Sequence, residues 1–267
     1  MASPLINIVE MQIAFAIALL GIYLGWRTGL SHISGFYDLT GAARHLLYGI
    51  VIGMIFAVAV DQLVLAEIVI NTSWDALAPT MLLIGASQSM LVLVVTGRPR
   101  TVRTCSSMPY GWTFGLGMGA MQAAYIIVRI FDPDTWAGSS GFGIGALFMG
   151  AVVSATCALA VASISGWQGT RLLQGYRLVP TILSTVMRAM VIASVTLSIF
   201  EPMAILISAP PAFYYAYNKA PSWAIETLSP PSKREYRKMI RKEAVSKKTE
   251  NARMMPNGIQ KWNTEPQ

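Results

Sequence analysis

The chain has 267 residues, of which 54% are hydrophobic and 12% charged, and it carries a formal net charge of +7. Together with a mean hydropathy of +0.52, this excludes an ordinary soluble globular domain and points to an integral membrane protein. The positive charge sits in the last fifth of the sequence and in short loops, so it carries no nucleic-acid signature.

Apolar runs of roughly 17–25 residues are long enough to cross a bilayer as helices. Seven are read along the chain, at about 6–26, 46–70, 77–97, 109–130, 142–165, 178–199 and 202–217. The seventh is short and contains Pro210-Pro211, which removes backbone donors and predicts a kinked or re-entrant segment. The fold class expected is therefore all-α, a polytopic seven-helix bundle over residues 1–218 followed by a basic tail over 219–267.

Met1 to Ile8 lacks the basic stretch of a cleavable signal, so the first span is expected to stay as an anchor. Arg27 and Arg44 bracket the first loop, Arg98, Arg100 and Arg103 lie in the third, and Arg171 and Arg177 flank the fifth. Basic residues close to spans favour the cytoplasmic side. The even loops hold acids and aromatics, as in Asn71-Thr-Ser-Trp-Asp75 and Phe131-Asp-Pro-Asp-Thr-Trp136. The expected topology is N-terminus outside, C-terminus inside, in the cytoplasmic membrane. Asn71-Thr72-Ser73 fits a glycosylation sequon, a match that is common by chance.

Within the second span, Asp61 is a costly intramembrane charge; Arg188 is another, in the sixth. Gln62, Gln88 and Gln122 lie at comparable depth, and a long arginine stem would let Arg188 reach Asp61. The expected arrangement is one common polar layer. It reads either as an ion or polar-solute pathway or as a dry network that fixes which helices meet. Glu10, Glu67, Asp132, Asp134 and Glu201 form an acidic rim at the outer ends, with Arg129 their basic neighbour.

The fourth span repeats glycine at Gly111, Gly115 and Gly119, and the fifth opens with Gly141, Gly143, Gly145 and Gly150. Small residues at four-residue spacing let helix backbones approach closely. These two spans are expected to pack as a tight antiparallel hairpin; a homo-oligomer or partner face is the alternative. Residues 110–124 also faintly resemble the glycine-rich helix of some glutamate-dependent intramembrane metalloproteases. That resemblance, one span out of seven, implies a degenerate membrane-protease-like protein. The family carries an acid where Gln122 stands here, and its paired glutamates and helical histidines have no counterpart.

Spans one to three and four to six would have opposite orientation, an arrangement shared in span count with many inverted-repeat transporters. A retinal protein needs a lysine in its last helix, and no lysine precedes Lys219. The D-R-Y and N-P-x-x-Y signatures of G-protein-coupled receptors are missing as well. His32 and His45 show no metal-ligand spacing, so no metal and no cofactor is expected. Cys105 and Cys157 fall on different segments, so no disulfide is expected.

In the tail, Ser229-Pro-Pro-Ser232 reads as a stop and Ser232 with Glu235 as a capping box. An amphipathic helix over about 232–245 would carry Lys233, Arg234, Arg237, Lys238, Arg241 and Lys242, suited to anionic lipid headgroups. Beyond Lys248 the composition predicts disorder. The leading functional expectation is a small ion or polar-solute transporter or channel-like protein. The second is a non-catalytic accessory subunit of a membrane complex.

Overall fold

The computed structural model describes residues 7–70, 74–132 and 141–254. The chain divides into two compact units, Met1–Leu228 and Ser229–Gln267.

The first unit is an all-α helical bundle, and the chain is a multi-pass membrane protein. Among the described residues six helices are long and apolar enough to cross a membrane. They are α1 (Ile8–Gly29), α2 (Leu39–Val60), α3 (Trp74–Thr96), α4 (Ser107–Phe131), α5 (Ile144–Leu173) and α6 (Leu178–Leu197). At about 1.5 Å per residue, each is some 30 Å long or more, matching the hydrocarbon core. α2 does not stop at Val60. It passes through a π turn, Asp61–Leu65, into Ala66–Ile70.

On α1 and α2 the buried face is made of small residues and the outward face of large ones. On α1 the buried positions include Ala14, Ala18, Gly21 and Gly25, while Leu19, Leu20 and Tyr23 point outward. α2 buries Gly49, Gly53 and Ala57 and exposes Leu47, Val51, Ile55 and Val58. Lipid rewards such surfaces and offers helices no hydrophobic reason to associate, so close backbone approach is what holds the bundle.

α4 is the central helix, and α1, α2 and α5 all pack on it. A Cβ on Gly111 would meet the Ser165 carbonyl at 2.6 Å, one on Gly115 the Val161 carbonyl at 2.6 Å, and one on Gly119 the Cys157 carbonyl at 2.5 Å. The α4 stripe thus lies directly on the α5 backbone, antiparallel, as the spacing predicted. Gly117 faces the other way, where a Cβ would lie 2.7 Å from the Ile50 nitrogen and 3.0 Å from the Gly49 carbonyl carbon on α2. Gly145 departs from expectation. No described atom lies within 4 Å of its would-be Cβ, because it sits exposed in the first turn of α5, short of the stretch that meets α4.

Polar clamps tie further pairs. Trp112 Nε1 donates to the Gly25 carbonyl at 3.0 Å, Ser154 Oγ to the Ile17 carbonyl at 2.8 Å, and Ser107 Oγ to the Thr96 carbonyl at 2.9 Å. α3 and α6 form a second antiparallel pair, joined to the rest through α5 and, from α3, through α4 and α2 as well. α5 closes at its basic end on Gly175 (φ +90°), where the Tyr176 amide reaches back to the Arg171 carbonyl.

The seventh stretch is not one helix. It runs as a 3-10 turn, Pro202–Ile207, a short helix α7 (Ala209–Tyr214), a π turn, Tyr215–Lys219, and α8 (Ala220–Glu226). Pro202, Pro210, Pro211 and Pro221 break its hydrogen-bond ladder. Its first turn is held to α6, with Ser194 Oγ donating to the Ala204 carbonyl at 2.7 Å. Its last turn packs against α1, α5 and the Ser31–Ile33 turn, so it runs from one end of the bundle to the other. Residues 219–228, which composition assigned to the tail, belong to this unit.

The second unit contains α9 (Pro230–Met254). It starts before the expected Ser232 cap, since the Ser229 and Ser232 hydroxyls bond at 2.8 Å and Pro230-Pro231 suit the first helical positions. The helix also continues past Lys248, where disorder was expected, as far as Met254. Arg234, Arg237, Lys238, Arg241 and Lys242 are exposed and Lys233 half-buried.

Candidate functional site

The expected single polar layer resolves into two sites. Asp61 begins the π turn of α2 and is buried. π turns insert one residue into a helix and often mark functional positions. The partner of Asp61 is Arg129, not Arg188. Arg129 Nε donates to Oδ1 at 2.8 Å and Nη2 to Oδ2 at 2.9 Å, a two-pronged ion pair between α2 and α4. Gln62 Nε2 adds a bond to Oδ2 at 3.0 Å from an exposed position. The reason for the correction is depth. α2 runs on to Ile70, so Asp61 lies level with the last turns of α4, where Arg129 already stands.

Beneath this pair is a cavity of about 20 Å³ bounded by α2, α4, α5 and α6. Asp61, Gln122, Tyr125, Arg129, Cys157 and Thr196 line it. Gln122 Nε2 and Thr196 Oγ1 are buried and lack a hydrogen-bond partner. The volume suffices for about one water. The site therefore offers an amide donor, a hydroxyl and a carboxylate to one small polar guest.

The second site lies among α3, α5 and α6. Arg188 is fully buried there, with Nη2 donating to Ser165 Oγ at 2.6 Å and Nη1 placed 3.4 Å from Gln88 Oε1. Gln168 extends the layer, donating to the Ser89 carbonyl at 3.0 Å and to Thr181 Oγ1 at 3.2 Å. Gln88 is thus joined to Arg188, while Gln122 belongs with Asp61.

Of the acidic rim, Asp132 caps α4 and is buried, with its carboxylate 4.0 Å from Arg129. Glu10 lies in the first turn of α1 and Glu67 in the α2 extension, both half-buried, while Glu201 is exposed at the start of the last stretch. Asp134 and the sequon Asn71-Thr72-Ser73 lie outside the described residues. Among the described residues no group of three potential metal ligands occurs. His45 is tied to the Gly41 carbonyl through Nδ1 at 2.7 Å and stacks on Tyr110 at 4.1 Å.

Two further hollows open on the exterior. One of about 330 Å³ lies between α5, α6 and the last stretch, lined by Ser163, Trp167, Met187, Tyr215 and Trp223 among others. The other, about 710 Å³ and shallow, lies between α1 and α2 beside Tyr23, Trp26 and Arg27.

Thr196, Ser165 and Gln168 were not singled out in the sequence, since hydroxyls and amides are frequent within spans and carry no spacing signal. Arg129 carried one. It was the basic residue nearest the acids at its end of the bundle. No family model, curated protein or solved structure matches the chain.

Proposed function

We propose that the protein is a carrier or channel-like protein of the cytoplasmic membrane that moves a small ion or polar solute, with the cavity beneath Asp61 and Arg129 as a binding station. One observation carries the reading: Gln122 Nε2 and Thr196 Oγ1 are buried without a protein partner, and both residues line a hollow. Burying such groups unpaired costs about 1–3 kcal/mol each, so a site that keeps them is built around a guest. The bidentate pair above it is the gate in this reading. Separating Asp61 from Arg129 would open the cavity toward the acidic end of the bundle. The last stretch, broken but running end to end, serves as the seventh crossing, and the arginine-rich ends of α1, α3 and α5 face the cytoplasm.

The competing reading, an accessory subunit of a membrane complex, would draw on the exposed basic face of α9. The α4 glycines do not serve it, because they are covered within the chain.

Cys157 lines the cavity and is a native reporter. With Cys105→Ser in place, a small charged thiol reagent applied to membranes is expected to label Cys157. Arg129→Gln, which releases the gate, is expected to speed that labelling at least tenfold. Absence of labelling in both proteins, with Cys105 labelled in the unsubstituted chain as control, would defeat the carrier reading.

A further inference from the structure

We propose that the hollow of about 330 Å³ between α5, α6 and the last stretch is a binding site for one membrane lipid, an anionic phospholipid whose acyl chain fills the hollow and whose phosphate rests on Arg171. The proposal does not depend on the transport reading, since no polar group of the Asp61 site takes part in it.

The hollow exists because the last stretch cannot lie flush on its neighbours. Pro211 lines it, and the chain there passes from a 3-10 turn through α7 into a π turn, so no straight helix face is offered to α5 and α6. Its volume is that of a ligand pocket and not of a crease between side chains. It opens toward the bilayer, because Leu183, Met190 and Ile207 both line it and are exposed on the outside of the bundle. Nothing inside calls for a polar guest. Ser208 Oγ is engaged with Ser194 Oγ at 2.8 Å, and Ser163 can turn its hydroxyl to a carbonyl of its own helix. The remaining walls are aliphatic, thioether and aromatic, which suits hydrocarbon and penalises a solvated solute.

One end of the hollow is different. Trp167 is the lining residue of α5 nearest its basic end, and Trp223 is the one furthest along the last stretch. Trp223 stacks on Tyr215 with ring centroids 6.1 Å apart. Aromatic rings of this kind favour the depth of the headgroups. One turn beyond Trp167 stands Arg171, exposed, with its guanidinium 5.9 Å from the centre of the indole. Its Nη1 donates to a neutral acceptor, Gln174 Oε1, at 2.8 Å. Lys219 closes the π turn that Tyr215 opens and is exposed as well. Among the described residues neither cation is in an ion pair. Apolar depth, aromatic collar and unpaired cations match, in that order, the chain, the glycerol region and the phosphate of an anionic lipid. A zwitterionic lipid supplies the same chain but sets its own cation against Arg171, and a free phosphate leaves the hollow unfilled.

The test uses the full chain in phosphatidylcholine vesicles that carry a minor share of lipid brominated on its acyl chain, either phosphatidylglycerol or phosphatidylcholine. Bromine quenches indole fluorescence at short range, so the signal of Trp167 and Trp223 is read as the difference from a chain carrying Trp167→Phe and Trp223→Phe. Brominated phosphatidylglycerol is expected to quench saturably, at a mole fraction about fivefold lower than brominated phosphatidylcholine for the Arg171 charge alone. Arg171→Lys is expected to keep that preference and Arg171→Gln to lose about fivefold of it. Ala212→Phe, which fills the hollow, is expected to remove the saturable quenching, and if it fails to fold the Arg171 series decides. Equal quenching by the two lipids in the wild type would overturn the proposal, because it marks ordinary annular lipid. So would a preference undiminished in Arg171→Gln or in a folded Ala212→Phe, since that places the attraction elsewhere, as on α9.

Discussion

Gly115 offers the sharpest test of how the bundle is held. In Gly115→Ala the new Cβ would lie 2.6 Å from the Val161 carbonyl oxygen, 2.7 Å from Ser165 Oγ and 2.8 Å from Ala162 Cα. Ordinary contact begins at 3.4 Å, so the nearest atom must retreat by 3.4 − 2.6 = 0.8 Å. Two of the three atoms are backbone, and α5 must move as a body rather than turn a side chain aside. Overpacking of this kind costs about 1–3 kcal/mol, and alanine's better helix propensity returns up to about 1 kcal/mol. The net expectation is destabilisation by about 1–2 kcal/mol, a five- to thirtyfold loss in the folding equilibrium. Gly145→Ala is the matched control, because its Cβ enters open space and should be neutral or stabilising by up to about 1 kcal/mol. Reversible unfolding in mixed micelles measures both. If Gly115→Ala is as stable as the wild type, or if Gly145→Ala is the worse of the two, close approach of α4 to α5 is not what holds the bundle.

The Asp61–Arg129 pair should show a coupling of about 1.5–3 kcal/mol in a double-mutant cycle with Asp61→Asn and Arg129→Gln. The Asp61–Arg188 cycle should show coupling below about 0.5 kcal/mol; the opposite ranking would place the partner wrongly. At the mouth of α2, Asp38 is held below the ordinary carboxylate value by the Gly41 backbone amide and then by the Tyr110 hydroxyl, which donates at 2.8 Å. A lowered folded-state pKa contributes stability above the ordinary carboxylate value that is lost as pH falls through the folded one. Asp38→Asn should therefore flatten the acid side of the stability profile, most visibly below pH 3.8, and an unchanged acid limb would contradict the contact. Vesicle binding by α9 should require anionic lipid and weaken with salt as charges are screened. Binding equal on neutral vesicles would leave its basic face without a lipid role.

Glycine spacing was legible because a four-residue repeat defines a face whatever the neighbour, and Gly111, Gly115 and Gly119 needed only an antiparallel partner of small residues. The partner of Asp61 was not legible, because pairing depends on relative depth. The span was read to residue 70, but the π turn at Asp61–Leu65, which sets how that carboxylate is presented, has no sequence mark. Arg188 illustrates a different limit. Its placement inside the bundle followed from its position in a span, whereas its lack of a carboxylate emerged only when Asp61 was seen to be taken. The start of α9 was misread for a local reason, since two prolines close one helix and open another equally well.

The prolines and the π turn of the last stretch bear on the order in which the protein is made. Its short pieces are poor candidates for independent insertion, and their contacts are to α6, which precedes them, and to α5 and α1, which emerge much earlier. α1 therefore keeps one flank unfinished through most of synthesis, until residues from the far end of the chain come to rest against it. Any factor that shields membrane helices during translation would have its longest task at that flank.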